Sequence, residues 1–153
     1  MGVVVQMNID EFYMKIAYDE AMKCLDIDEV PVGAIIVKDD QIIAAAHNTR
    51  ETTQMATAHA ETLAIMEACS KLKSWRLDDC TLYTTLEPCL MCSGAIVSSR
   101  IKRVVYGTRE YRWIALDRII QDKSSINHHP EITSGIMEQE CSQIIKDYFK
   151  NKR

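Results

Sequence analysis

Short apolar runs of strand length alternate along this chain with stretches whose apolar residues recur every three or four positions, and that alternation limits the fold more than any other feature. Ile9, Phe12, Tyr13, Ile16, Ala17, Ala21, Cys24 and Leu25 predict one face of a helix over about 9–25. Val32 to Val37 and Ile42 to Ala46 flank Lys38-Asp39-Asp40-Gln41, a polar link of hairpin length, and predict two antiparallel strands. A second helix is predicted from Thr57, whose hydroxyl suits a cap, through Leu63, Ala64, Met66 and Ala68 to about Lys71. Cys80 to Thr85 predicts a buried strand. Pro88 then opens a helix whose segment Leu90 to Val97 is apolar nearly all round and should be well buried. Val104 to Tyr106, ending at Gly107, and Glu131 to Ile136 supply two further strands, and Met137 to Lys150 closes the chain as an amphipathic helix. Tyr111 to Ile120 could form a short helix, and Asp122 to Pro130 reads as loop. The order predicts a three-layer α/β/α domain around a central mixed five-stranded sheet.

With 153 residues, 47% of them hydrophobic, the chain can bury one sizeable core, so residues 1–153 are expected to form a single domain. No apolar run approaches the roughly 20 residues of a membrane helix. The apolar start Gly2 to Val5 lacks the length and basic flank of a secretory signal, so a cytoplasmic location is expected. A net charge of -4 excludes a protein that coats nucleic acid by bulk charge. Charge is nevertheless uneven: Arg100, Lys102, Arg103, Arg109 and Arg112 nearly fill one window, and Lys146, Lys150, Lys152 and Arg153 another. Either group could meet phosphates or simply be a solvated face.

Six cysteines without a secretory signal should stay reduced. Cys24, Cys69, Cys80 and Cys141 each stand alone among apolar neighbours and read as small core residues. Cys89 and Cys92 differ, because a Cys-x-x-Cys on a first helical turn puts both sulfurs on one face, where unsatisfied amides favour thiolates. His59, at the start of the preceding predicted helix, would complete an imidazole and two thiolates, a donor set that suits zinc and leaves a fourth position open for water. Glu61 is a plausible proton carrier, although spacing alone does not turn it toward the metal.

His59-Ala60-Glu61 followed by Pro88-Cys89-Leu90-Met91-Cys92 matches the H-x-E and P-C-x-x-C signature of zinc-dependent deaminases. Val30-Pro31-Val32-Gly33-Ala34, His47-Asn48, Thr57-Ala58, Thr81-Leu82-Tyr83 and Thr85-Leu86-Glu87 extend the match. Over residues 10–107, and again at Asn127-His128, Glu131-Ile132-Thr133 and Asp147-Tyr148-Phe149-Lys150, the chain resembles the bacterial tRNA-specific adenosine deaminases. The resemblance implies a cytidine-deaminase-like fold, one zinc ion held by His59, Cys89 and Cys92, and Glu61 as the proton shuttle. It also implies substrate contacts at Asn48, Ala60 and Glu110, a homodimer, and conversion of the wobble adenosine of a tRNA anticodon loop to inosine. Asn48 could equally be a turn residue after a strand.

Between these stretches the chain departs from the family. Thr108-Arg109-Glu110-Tyr111-Arg112-Trp113-Ile114-Ala115-Leu116 replaces an acidic residue and lysine followed by a small, glycine-rich stretch. Tyr111 and Trp113 could stack on bases, or pack at a dimer interface or on the terminal helix. The alternative substrate is a free base, nucleoside or other small amino-heterocycle, such as a guanine, cytosine or adenine derivative. A third reading is a catalytically silent zinc fold acting as a binding partner, against which the presence of Glu61 speaks.

Overall fold

The computed structural model describes residues 2–152, with side chains over residues 9–152; Arg153 and the side chains of Gly2 to Val5 lie outside the described residues. Helix α1 spans Gly2–Lys23 and ends in a 3-10 turn, Cys24–Asp26. Strands β1 (Gly33–Lys38) and β2 (Gln41–His47) follow, then the short helix α2 (Arg50–Thr53) and helix α3 (Ala60–Leu72). Next come β3 (Thr81–Leu86), α4 (Leu90–Ser99), β4 (Arg103–Thr108), α5 (Leu116–Ile119), β5 (Glu131–Ser134) and α6 (Glu138–Lys150).

The β1–β2 link is tighter than its polar stretch suggests. Asp39 (φ 49°) and Asp40 (φ 61°) are both left-handed and Lys38 pairs with Gln41, the two-residue turn whose twist matches that of the strands. The sheet runs β2-β1-β3-β4-β5, antiparallel across β2, β1 and β3 and parallel across β3, β4 and β5. Alternation along the strands divides the core in two. Ala34, Ile36, Leu82 and Val104 face Ala64, Ala68, Ile96 and Leu116 of α3, α4 and α5, whereas Ile35, Val37, Tyr83 and Val105 face Met14, Ala17 and Cys141 of α1 and α6. The predicted α/β/α layering with a mixed five-stranded sheet is therefore the fold. Helices cross the second face closely at two glycines: a Cβ on Gly33 would stand 2.0 Å from the carbonyl oxygen of Ala17, and one on Gly107 2.5 Å from Cys141 Sγ. Cys24, Cys80 and Cys141 are buried, Cys69 is half-buried, and all four are free thiols.

Several local expectations are corrected. The buried stripe of α1 is Asp10, Tyr13, Met14, Ala17 and Ala21, while Ile9 and Phe12 face outward at 45% and 62% exposure. Burial follows Asp10 because it pairs with Arg103 of β4. The residue that precedes helix α3 is His59, not Thr57, and the one that precedes α4 is Cys89, which leaves Pro88 ahead of the helix; neither side chain makes a capping hydrogen bond. Strand β4 continues through Gly107 to Thr108, since α6 needs the missing side chain there and the strand does not need a turn. Of 111–120 only Leu116–Ile119 is helical, while 122–130 forms neither helix nor strand. Helix α4 is not well buried all round: Cys92, Ser93, Ile96 and Val97 face the core, and Leu90 is 69% exposed.

Candidate active site

Parallel strands deliver their chain ends to one side of a sheet, and β3 runs out through Glu87 and Pro88 directly into Cys89 at the head of α4. Because β1 and β2 are antiparallel, the start of β1 at Gly33 pairs with the end of β2 at His47 on that same side, so Asn48 emerges there too. His59 and Cys89 both have extended backbone (ψ 153° and -179°) and precede helices. Their side chains therefore stand at helix ends where amides are unsatisfied, a setting that favours anionic ligands.

His59 Nδ1 lies 3.5 Å from Cys89 Sγ and 3.6 Å from Cys92 Sγ, and donor atoms of the three residues all fall within 4.8 Å of one another. This cluster could hold a metal ion, and among the described residues no fourth side chain joins it. The hydrogen bond from the Cys92 thiol, followed by that of His59, outweighs burial and draws Cys89 down to about 4. Cys92, which donates that bond and is buried, is pushed far up, and His59 is raised chiefly by its bond to Cys89. A bound cation would displace the Cys92 proton.

Glu61, the second residue of α3, is 3% exposed. Burial pushes its carboxyl up to about 7, with the neighbouring Cys89 thiolate adding to the rise. A carboxyl poised near neutrality beside a metal-type cluster can both accept and return a proton. Glu61, His59 and Cys89 line a cavity of about 330 Å³ whose walls include Asn48, Glu110 and Trp113.

The remaining predicted residues are placed differently. Asn48 accepts the Ala60 amide through Oδ1 at 2.8 Å and donates through Nδ2 to the Val30 carbonyl at 3.0 Å. It thus caps α3 across the chain while keeping one donor and one lone pair to spare. Ala60 is fully buried with its methyl in the core, its amide engaged by Asn48, and it is not part of the cavity wall. Glu110 reaches the wall with its carboxylate clamped by Arg112, Nε at 2.9 Å and Nη2 at 2.8 Å. Of the first basic window, Arg103 is bound to Asp10, Arg109 to Asp117 and Arg112 to Glu110, so three of its five cations already have anions. Lys152 of the tail pairs with Asp28.

Two carboxylates that the sequence left without a role shape the site. Glu29, 2% exposed, accepts the Glu51 amide at 3.1 Å and the Thr52 hydroxyl at 2.6 Å, which fixes the segment after Asn48. Glu87, 4% exposed, accepts the Glu110 amide at 3.1 Å through Oε1 and the Asp117 amide at 2.8 Å through Oε2. The available signal was an acid inside an otherwise apolar run, Leu86-Glu87-Pro88. A larger groove of about 1060 Å³, lined by Tyr111, Lys146 and Lys150, adjoins the cavity at Leu86, Glu110 and Phe149.

Comparison with known proteins agrees with this geometry. The MafB19-like deaminase family matches residues 7–153. The tRNA-specific adenosine deaminase of Bacillus subtilis is 46% identical over 150 residues, covering 96% of this chain and 92% of that protein. The tRNA-specific adenosine deaminase of Aquifex aeolicus is 42% identical over 145 residues, covering 94% and 95%. A solved structure from work on A-to-I editing by tRNA:A34 deaminases at the wobble position of transfer RNA superposes with a TM-score of 0.84 at 38% identity, covering 87% of this chain and 98% of that one. With near-full-length identity above 40% and the same fold, this chain belongs to the tRNA-specific adenosine deaminase family.

Proposed function

We propose that this chain, acting as one deaminase domain, hydrolytically converts adenosine to inosine at the wobble position of a tRNA anticodon loop, and that the cytoplasm is where it meets that substrate. The observation that carries the chemistry is the buried Glu61 beside the His59, Cys89 and Cys92 cluster, with Glu61, His59 and Cys89 all lining one cavity. The donors fit zinc: bond lengths of about 2.0–2.1 Å to nitrogen and about 2.3 Å to sulfur in a tetrahedral site separate N from S by about 3.6 Å. The 3.5 and 3.6 Å separations support that assignment. His59, Cys89 and Cys92 would hold the zinc, which would supply Lewis-acid activation of water near neutral pH.

The protein's part is proton traffic and positioning. The Glu61 carboxylate takes a proton from the attacking water and gives it to ring nitrogen N1 as oxygen adds to C6. It then carries the hydroxyl proton to the amino nitrogen, the C–N bond breaks, and ammonia leaves a carbonyl behind. Asn48 has one donor and one acceptor left to fix the base or its ribose, and Glu110 offers a wall already oriented by Arg112. Ala60, buried away from the cavity wall, acts through its amide, which holds the Asn48 side chain in place. The adjoining groove, with Lys146 and Lys150, suits the phosphates flanking a base turned into the cavity. The exposed Leu90 at the start of α4 and Met66 on α3, at 69% and 67%, are apolar side chains that a homodimer contact would bury.

Incubating zinc-loaded protein with an anticodon stem-loop and assaying for inosine tests this reading. Turnover of the stem-loop is expected. Glu61→Gln should keep zinc and fold while losing more than the roughly 10²- to 10⁴-fold typical of one acid-base group. Deamination of a free base or nucleoside with none of the RNA would overturn the substrate, and near-normal turnover by Glu61→Gln the mechanism.

A further inference from the structure

We propose that Trp113 is a stacking platform for the nucleobase next to the one being deaminated; the proposal rests on the RNA reading above. Three observations carry it. Trp113 lines the same cavity as Glu61 and His59 yet remains 58% exposed, so it stands at the rim. A cavity of about 330 Å³ is at the small end for ligand sites, so a polynucleotide can place one base inside while its neighbours rest outside. The indole is also prepared for a partner. The Arg112 guanidinium lies 4.3 Å from its centroid and covers one ring face, which leaves the opposite face for a base.

The platform is held in place before any ligand arrives. Glu87 grips the segment at both ends, through the Glu110 amide and the Asp117 amide. Glu110 in turn fixes the guanidinium plane with two hydrogen bonds. The same guanidinium lies 5.9 Å from the Phe149 ring, so it ties the segment to α6. Arg112 is thereby neutralised and acts through its flat face, not as a phosphate clamp. A protein partner on Trp113 would have to cover the mouth of the cavity, which an enzyme acting on RNA must keep open.

The test uses zinc-loaded wild type, Trp113→Ala and Trp113→Phe against an anticodon stem-loop and two derivatives, abasic on the 5′ or the 3′ side of the reactive adenosine. Trp113→Ala should raise KM for the intact stem-loop by about 5- to 150-fold, the value of one base–aromatic stack, with kcat nearly unchanged and zinc content intact. Trp113→Phe should restore most of that loss. One of the two abasic substrates should erase the difference between wild type and Trp113→Ala, which identifies the stacked neighbour. An unchanged KM, a penalty equal on all three substrates, or conversion of a dimer to a monomer by Trp113→Ala in sedimentation would overturn the platform. Those outcomes differ from failure of the wild type to deaminate any stem-loop, which would strike the proposed substrate itself.

Discussion

Replacing Glu87 by glutamine changes one oxygen to an amide nitrogen without altering volume, and the structure says what that costs. Both carboxylate oxygens are in use, at 3.1 Å to the Glu110 amide and 2.8 Å to the Asp117 amide, on a side chain only 4% exposed. Glutamine keeps one acceptor and turns an N–H against the other backbone N–H. A hydrogen bond to a charged acceptor is worth about 1.5–3 kcal/mol, and an unsatisfied buried donor costs about 1–3 kcal/mol more. Because the segment can move to reach water, we expect a net loss of about 2–4 kcal/mol. Other latches remain, since Glu87 still donates its amide to the Thr108 carbonyl at 2.8 Å and Leu116 to the Pro88 carbonyl at 3.0 Å. The loss should therefore appear as local opening of 109–117 and not as global unfolding. Hydrogen exchange read by NMR should show the Glu110 and Asp117 amides speeding up by about 30- to 1000-fold, the same energy as a population ratio, while core amides of β3 and β4 stay protected. KM for the stem-loop should rise with zinc content unchanged. Unaltered exchange at both amides would refute the reasoning that Glu87 holds this segment.

Gly33→Ala should be among the most damaging small changes, because the new Cβ would meet backbone atoms of α1 at 2.0 and 2.5 Å; we expect a loss of about 3 kcal/mol or more in urea unfolding, and a wild-type midpoint would contradict it. Burial pushes the Asp10 carboxyl up, but the hydrogen bonds from Arg103 and Tyr83 outweigh it and leave the pKa below the ordinary 3.8. The pair's stability is thus complete above about pH 5 and lost progressively as pH falls through the ordinary carboxyl range and then through the lowered folded one, so Asp10→Asn should flatten the acid limb of stability against pH. Stripping the zinc proposed for the His59, Cys89 and Cys92 cluster should abolish turnover and lower the melting temperature while far-UV circular dichroism persists, because both apolar cores are built without the cluster. In that metal-free protein Cys89, drawn down to about 4, should be alkylated by iodoacetamide at pH 6 well before the buried Cys92; equal rates at the two would contradict the assignment of the thiolate.

The local code reached far in this protein because its elements agree with their own periods. Alternating strands, a hairpin link and helical stripes specify the three layers, and the spacing of Cys89 and Cys92 on a first turn makes two convergent sulfurs a matter of helix geometry. Positions decided by distant partners were not legible. The stripe of α1 turns toward Asp10 only because Arg103, 93 residues later, waits in β4 to neutralise it. The same pairing, with Arg109 to Asp117 and Arg112 to Glu110, ties three of the five cations of an apparent phosphate-binding window to carboxylates of the fold. Glu61 lies beside the cluster because α3 and α4 start next to each other, the residues that precede them, His59 and Cys89, meeting at 3.5 Å, which no spacing within either helix could establish. Sequence by itself determined which atoms are available, since bonding geometry along a helix or strand is short-ranged. Tertiary structure alone decided which charges are spent on the fold and which remain for chemistry, because a buried charge takes its meaning from whatever the chain brings within about 4 Å of it.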